Sequence, residues 1–311
     1  MVVAKDVHLV TGAAGFIGFH LVQKLLGKQQ RIIAVDNFSN HLPGLELKNI
    51  RWEKLSSDLI IKKKVDLVSE PLEFLNDFQI SNVYNLAALP GFLNNWSNIH
   101  PYIESNVYLV SKLLEYFRER PLKNFIHAST SSVYGKHAIG GEEQDLNPIS
   151  PYGVSKLAAE KLLLAYSDNF GLPVKILRYF SVYGPMQRPD MAFAKLINCI
   201  KFGKAFNLYG DGTQKRSNTY VEDIVNATLM AESCPSGQVL NICGDDHVSL
   251  NQVIQIIETI TNSKIQIVGN DPRNGDQEDT FGDNSKAKSI LRWRPKTGIR
   301  EGLKLQIESV L

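Results

Sequence analysis

Cys199, Cys234 and Cys243 are the only cysteines in 311 residues, too few and too scattered for a disulfide framework or a thiolate metal site. They point to a protein that works reduced, in the cytoplasm. Long apolar runs are missing too. No stretch approaches the roughly 20 residues that a membrane span needs. The N-terminus leads straight into a strand, without a charged region followed by a cleavable apolar run. Neither sign of charge dominates: the formal net charge is +2, which gives no general attraction to nucleic acid or an anionic membrane. The seven histidines form no cluster, so no metal is expected. Internal repeats, low-complexity tracts and long linkers are also absent. The chain is 43% hydrophobic, enough for the core of one large α/β unit or two close domains.

One stretch organises what is there. Val7 to Thr11 is an apolar run of strand type, followed by a turn with glycines at 12, 15 and 18. Apolar residues then recur with helical spacing at Phe16, Ile17, Leu21, Val22, Leu25 and Leu26. A strand, a glycine turn and a helix N-terminus together suit a pyrophosphate, because the backbone can come close and free N–H groups face the anion. The spacing is GxxGxxG rather than the GxGxxG of many dehydrogenases. The next strand, Arg31 to Val35, ends at Asp36, where a carboxylate bonds the adenosine ribose hydroxyls and repels a 2′-phosphate. That favours NAD over NADP. The plain alternative is that Asp36 caps a turn with Asn37.

Further along, Asn49 to Leu55 reads as a short strand, with Asp58 in the loop after it, beside the adenine or in a solvated turn. Lys62-Lys63-Lys64 reads as a solvated face. Val83 to Ala88 is a buried strand whose small C-terminal residues, with Leu86, let a cofactor lie close. A helix is expected from about Tyr102 to Arg118, with Asn106 facing back to the strand ends. Asn124 to Ala128 is a strand ending in Ser129-Thr130-Ser131-Ser132, which otherwise satisfies its own backbone. Pro151 opens a helix running to about Asn169, and Val174 to Tyr179 is another strand. Alternating strands and helices argue for a parallel sheet covered on both faces. After about residue 184 turns become frequent, with helical patterns at 191–202 and 248–261. The expected division is a nucleotide-binding unit over 1–184, receiving a strand near 239–242, and a substrate lobe over 185–311.

Tyr152 and Lys156 are four apart, hence on one helix face. A nearby ammonium favours phenolate, which lets Tyr152 act as a base near neutral pH. Thr130 then sits across from it, on the same substrate oxygen.

With these residues on the page, the chain resembles the extended short-chain dehydrogenase/reductase family, in particular its NAD-dependent nucleotide-sugar epimerases and dehydratases. The matching segments are TGAAGFIG (11–18), VDN (35–37), NLAA (85–88), STSSVYG (129–135) and SPYGVSK (150–156). LRYFSVYGP (177–185), YGDGTQKR (209–216), RNGD (273–276) and SKAKSILRWRPKT (285–297) complete the series. The resemblance implies a Rossmann-type doubly wound sheet with a smaller C-terminal α/β lobe, and a catalytic group of Tyr152, Lys156 and Thr130. The implied NAD site is Gly12, Gly15, Phe16, Ile17, Gly18, Asp36, Asn37, Asp58, Leu86, Ala87, Ala88, Asn106 and Phe180, with Tyr152 and Lys156. A sugar nucleotide would meet Thr130, Ser131, Ser181, Arg188, Tyr209, Arg216, Arg273 and Asp276. A homodimer built on the helices around 102–118 and 152–169 is implied as well.

Dehydratases of the family usually carry a Glu immediately before VYG; here Ser132 stands there, which favours epimerisation at C4. Arg188 and the run Met186 to Ala192 are similar to UDP-glucuronate 4-epimerases, whose arginine is available for the sugar carboxylate. Two departures stand against a simple transfer: Leu89-Pro90-Gly91-Phe92-Leu93 after NLAA, and Ser217-Asn218 after Arg216. UDP-glucose or UDP-N-acetylglucosamine epimerisation, dehydration, and a silent NAD-binding member are the alternatives.

Overall fold

Buried on both faces, the apolar run at the head of the chain becomes an interior strand of a seven-stranded sheet. The computed structural model describes residues 6–41, 43–91, 98–272 and 277–311. In chain order β1 (Val7–Thr11), α1 (Phe16–Gly27), β2 (Arg31–Asp36), α2 (Leu45–Lys54), β3 (Ile60–Lys64) and β4 (Ile80–Asn85) come first. A single turn α3 (His100–Tyr102), a π-helical segment (Ile103–Tyr108) and α4 (Leu109–Phe117) follow. Next are β5 (Asn124–Thr130), β6 (His137–Gly140), α5 (Pro151–Phe170), β7 (Val174–Tyr179) and β8 (Val182–Tyr183). Then come α6 (Ala192–Phe202), β9 (Phe206–Tyr209), β10 (Lys215–Ser217), β11 (Thr219–Tyr220), α7 (Val221–Met230) and β12 (Gln238–Ile242). The chain continues through β13 (His247–Ser249), α8 (Leu250–Thr261), β14 (Ile267–Asn270), β15 (Asp279–Gly282), α9 (Ser285–Leu291) and α10 (Ile299–Glu308).

The sheet order is β3-β2-β1-β4-β5-β7-β12, and every pair is parallel. This is the Rossmann-type α/β fold. A parallel sheet needs crossovers, and the helices they supply bury both faces, so β4 and β7 are buried at every position. On one face Val10, Leu21 and Leu25 pack with Ile224 and Val225 of α7 and with Trp293. On the other, Leu9 and Val83 meet Leu113 of α4 and Leu163 of α5. Each such side chain contributes about 1.5–3 kcal/mol on leaving water. A third cluster joins Phe193 and Leu196 of α6 to Val253 and Ile257 of α8 and Leu303 of α10. The chain crosses between layers in both directions. β6 pairs with β15 in a second sheet ordered β13-β10-β15-β6, and β12 returns to pair with β7.

Two local readings are corrected. Residues 49–55 are not a strand: burial recurs at Leu47, Lys48, Arg51, Trp52 and Leu55, which is helical spacing, and Leu45–Lys54 is α2. The strand is β3, and it contains the lysine run expected to be a solvated face. Lys62 lies half-buried, donating from Nζ to Trp52 O at 3.0 Å and sitting 5.4 Å above the indole ring. The helix expected over 102–118 is present but widened by the π-helical segment, which carries Asn106 inward to full burial. Among the described residues no helix is long and apolar enough to cross a membrane.

Candidate active site

A cleft of about 380 Å³ runs along the C-terminal ends of β1, β2, β4, β5 and β7. The glycine turn forms one end. Gly12 has φ +68°, and a Cβ there would meet Ala87 N and Leu86 O at 2.9 Å. At Gly18 a Cβ would fall 2.2 Å from Gly12 O. Helix α1 starts here with no acidic residue in its first turn, so its positive end is free for an anion. Gly15, Phe16 and Ile17 line the cleft beside them.

Asp36, buried at the end of β2, lines the cleft, and it caps the turn as the plain alternative expected. Its Oδ2 accepts from Ala14 N at 3.1 Å, while Oδ1 accepts from Phe38 N at 2.9 Å and Lys48 Nζ at 3.0 Å. Asn37 lines the cleft alongside. Two cations that sequence reading missed come from α2. Lys48 pairs with Asp36, and Arg51, almost fully buried, donates from Nη1 to Ala14 O and from Nη2 to Met186 O. Burial, and then the charge of Arg188, push the Arg51 guanidinium down to about 10. Arg51 thus joins the glycine turn to the segment carrying Arg188. The misplaced strand hid both residues from sequence reading.

The same error misassigned Asp58. It is exposed before β3, at the wrong end of a parallel strand, and the residues after β3, Asp66 and Leu67, line the cleft instead. Leu86, Ala87, Ala88 and Phe180 line it as expected. Asn106 does not. Its amide clamps Leu89, accepting from N at 2.8 Å and donating to O at 3.1 Å, and it also donates to Ser155 Oγ. It shapes the wall from behind.

Ser150 caps α5 by accepting from Gly153 N at 3.1 Å, with Pro151 in the first turn; this aims Tyr152 and Lys156 into the cleft. Thr130, Ser131, Ser181 and Arg188 line the same space. Thr130 hydrogen-bonds the Tyr152 phenol and also caps its own turn, accepting from Ser132 N at 3.1 Å. Burial pushes the Tyr152 phenol up; the Thr130 bond and the Arg188 charge oppose this without overcoming it. The expectation of a lowered phenol is therefore corrected: desolvation of the phenolate dominates. Burial also pushes the Lys156 ammonium down to about 7, with Glu160 opposing. Its Nζ lies 2.9 Å from His127 Nε2, a neighbour no motif announced.

Arg188 forms a two-point pair with Asp190, Nε to Oδ1 at 3.0 Å and Nη2 to Oδ2 at 2.7 Å. Arg216 lines a second, smaller cavity with Ser181, Gln187 and Asn218, and donates to Glu278 O and Gln277 O. Tyr209, on β9, lines neither cavity. Arg273 and Asp276 lie outside the described residues. Among those described, no group of His, Cys, Asp and Glu is placed to hold a metal ion.

Residues 8–243 match the family model described as the NAD dependent epimerase/dehydratase family. The chain is 40% identical to the uncharacterized UDP-glucose epimerase YtcB of Bacillus subtilis (strain 168), over 96% of both chains. It is 35% identical to the UDP-glucuronate 4-epimerase of Thermodesulfobacterium geofontis (strain OPF15), over 96% of this chain and 94% of that protein. Its structure resembles the UDP-glucuronic acid 4-epimerase of Bacillus cereus in complex with UDP-glucuronic acid and NAD, with a TM-score of 0.93 and 37% identity, covering 97% of this chain and 98% of that one. A cleft closed at one end by a glycine turn and floored by Tyr152 and Lys156 agrees with these matches, and the chain belongs to the NAD dependent epimerase/dehydratase family.

Proposed function

We propose that the protein epimerises C4 of a UDP-sugar with NAD as its internal redox partner, and that the sugar is glucuronate. One observation carries the reading: Tyr152, hydrogen-bonded to Thr130 and four residues before Lys156, shares a cleft with the glycine turn and Asp36. The cleft fits a dinucleotide: Gly12 and Gly18 let the turn close against Leu86 and the start of α1, where a Cβ would clash with backbone, and the α1 N-terminus, with no acidic residue in its first turn, faces the cleft. Gly12, Gly15 and α1 would hold the pyrophosphate, Asp36 and Asn37 the adenosine ribose, and Lys156 the second ribose. Bound there, NAD supplies a hydride acceptor that can return the hydride, so no outside oxidant is consumed.

Tyr152 receives the proton of the C4 hydroxyl and gives it back after the sugar has turned its other face. Thr130 holds that oxygen in line with the phenol. Ser132 offers no carboxylate for removing a second proton from the ring, which separates this chemistry from dehydration. In this reading residues 1–184, with β12, form the NAD unit and 185–311 hold the nucleotide sugar through Ser181, Tyr209, Arg216, Arg273 and Asp276. Ile103, Tyr108, Val154 and Phe170 are each between 42% and 51% exposed along the helices near 102–118 and 152–169, which supports a homodimer paired through them.

Arg188 supports glucuronate because a buried carboxylate needs a partner and a guanidinium fork suits it. Its pair with Asp190 favours a second reading, UDP-glucose, since Arg188 already has a counter-ion. Incubation with UDP-glucuronate, UDP-glucose and UDP-N-acetylglucosamine, with the C4 configuration of the product read by NMR, tests both. The proposal requires inversion at C4, fastest with UDP-glucuronate; a faster UDP-glucose reaction moves the second reading ahead. Nucleotide released on denaturation should be NAD.

A further inference from the structure

One buried titratable group has no part in the scheme above: His127, in the middle of β5, with no exposed surface. Its Nε2 faces Lys156 Nζ, and its Nδ1 lies 3.0 Å from Asn85 Nδ2. Beyond Asn85 the Thr11 hydroxyl reaches Oδ1 at 2.7 Å, and Ala87 N lies 3.1 Å from Thr11 Oγ1. These four bonds cross from β4 through β1 and back to β5, and end on the catalytic helix.

The chain of bonds runs in one direction. Ala87 N–H donates to Thr11 Oγ1, and the Thr11 hydroxyl, placed against Asn85 Oδ1, donates there in turn. The Asn85 amide must then present its NH₂ to His127, where Nδ1 accepts. Burial, and then the charge of Lys156, hold the His127 imidazolium well below the usual range, so the ring is neutral and carries one proton. That proton is on Nε2 and points at Lys156. The matching partner is the lone pair of an amine, not an ammonium.

We propose that His127 is a positioning residue that donates from Nε2 to Lys156 Nζ and so makes the lysine's proton easy to give up. The groups around Nζ leave that bond unopposed. Tyr152 and Glu160 flank Lys156 on α5, but the Glu160 carboxylate is taken by Arg178 of β7 and by Ser129. Arg188 and Tyr102 act on the Tyr152 side. To accept from an ammonium the ring must shift its proton to Nδ1, against the Asn85 NH₂. The cost of reversing the whole chain keeps Lys156 close to neutral titration, so it can exchange charge with Tyr152 within one turnover.

The tautomer is measurable directly, and its reading does not depend on the enzymatic proposal. In protein with ¹⁵N-labelled histidine at pH 8, His127 should show a protonated Nε2 and a bare Nδ1. A proton on Nδ1, or an imidazolium, overturns the inference. The kinetic arm rests on the catalytic reading of Tyr152 and Lys156. Activity should rise with pH through the Lys156 titration, because burial holds the phenol protonated and the pair must lose one proton before Tyr152 can accept another. His127→Gln, whose amide can turn its oxygen toward an ammonium, should move that limb up by about one pH unit, a tenfold change in proton affinity. His127→Phe removes the donor without supplying an acceptor and should also move it up, by less than Gln does, with KM for the UDP-sugar within about twofold; His127→Met takes its place if it does not fold. A downward displacement in the Phe or Met variant, which would mean that the ring had accepted from an ammonium, or no displacement in either variant, overturns the inference. A wild type inactive on every UDP-sugar sinks the proposed function instead, and the tautomer then decides the role of His127.

Discussion

The floor and the outer wall of the cleft treat a cation in opposite ways. At the floor Lys156 has a neutral imidazole beside it, and Glu160, the carboxylate one turn away, belongs to Arg178. At the wall Arg188 has the Asp190 carboxylate to itself, and both side chains are partly open to solvent, 19% and 26% exposed. A charge meant to act on a proton is left without a counter-ion, where burial can tune it. A charge meant to meet a ligand keeps a replaceable one, which lowers its cost in the free protein. In the proposed function, burial thus sets chemistry at the floor, and exchange sets recognition at the wall.

Removing the floor's proton acceptor is the severest way to break this comparison. Tyr152→Phe should fold, keep its nucleotide and lose about 10²–10⁴-fold in kcat, since that is what a positioned acid or base gives. Activity above about a tenth of wild type would mean another group takes the proton.

At the wall, Arg188→Ala should cost on the order of 2–4 kcal/mol in kcat/KM toward UDP-glucuronate and far less toward UDP-glucose, which has no carboxylate to lose. Equal losses would remove Arg188 as a carboxylate reader. Asp190→Asn sharpens the contrast from the other side. Freeing the guanidinium should raise kcat/KM for UDP-glucuronate by a few-fold, since a partly exposed ion pair contributes about 0.2–1 kcal/mol. A fall would show that Asp190 orients Arg188 rather than competing with the substrate.

Asp36 lies between the two extremes, buried but paired with Lys48. NADP should bind worse than NAD, because the carboxylate repels a 2′-phosphate. Lys48→Ala should widen that preference by a few-fold, and titration with both cofactors reads it; an unchanged ratio would mean hydrogen bonding alone sets the choice.

The smallest effect is on stability. Burial holds Lys156 near 7 in the folded protein, against about 10.4 for an unfolded lysine. Between those values the unfolded chain binds the extra proton, so stability rises with pH through that window and is flat below it. Lys156→Met should remove part of the slope in denaturant unfolding measured from pH 7 to 9. An unchanged slope would show that Lys156 keeps its charge when folded.

What could be read before the structure follows the physics of each region. The glycine turn, Asp36 and the Tyr152/Lys156 face were legible because strand and helix periods and backbone sterics act locally. Residues 45–64 were misread because Ile50 and Trp52 alternate like a strand over a few residues, while the buried Arg51 looks polar in sequence. That error put Asp58 at the cleft in place of Asp66. His127 gave no signal at all, since its importance comes from Asn85 and Thr11 on two other strands. The Asp190 carboxylate stood two residues from Arg188, yet only the turn between them makes the pair.

The placement of β12 has a consequence for biosynthesis. It completes the sheet beside β7, but it is supplied by residues 238–242, after α6, β9, β10, β11 and α7 have been made. Until those residues leave the ribosome, β7 has a bare edge whose neighbours are already apolar on both faces, the kind of edge that pairs with another chain. The nascent chain therefore passes through a sticky stage some sixty residues long, and its yield in a cell should depend on how quickly translation crosses it or on a chaperone that covers the edge.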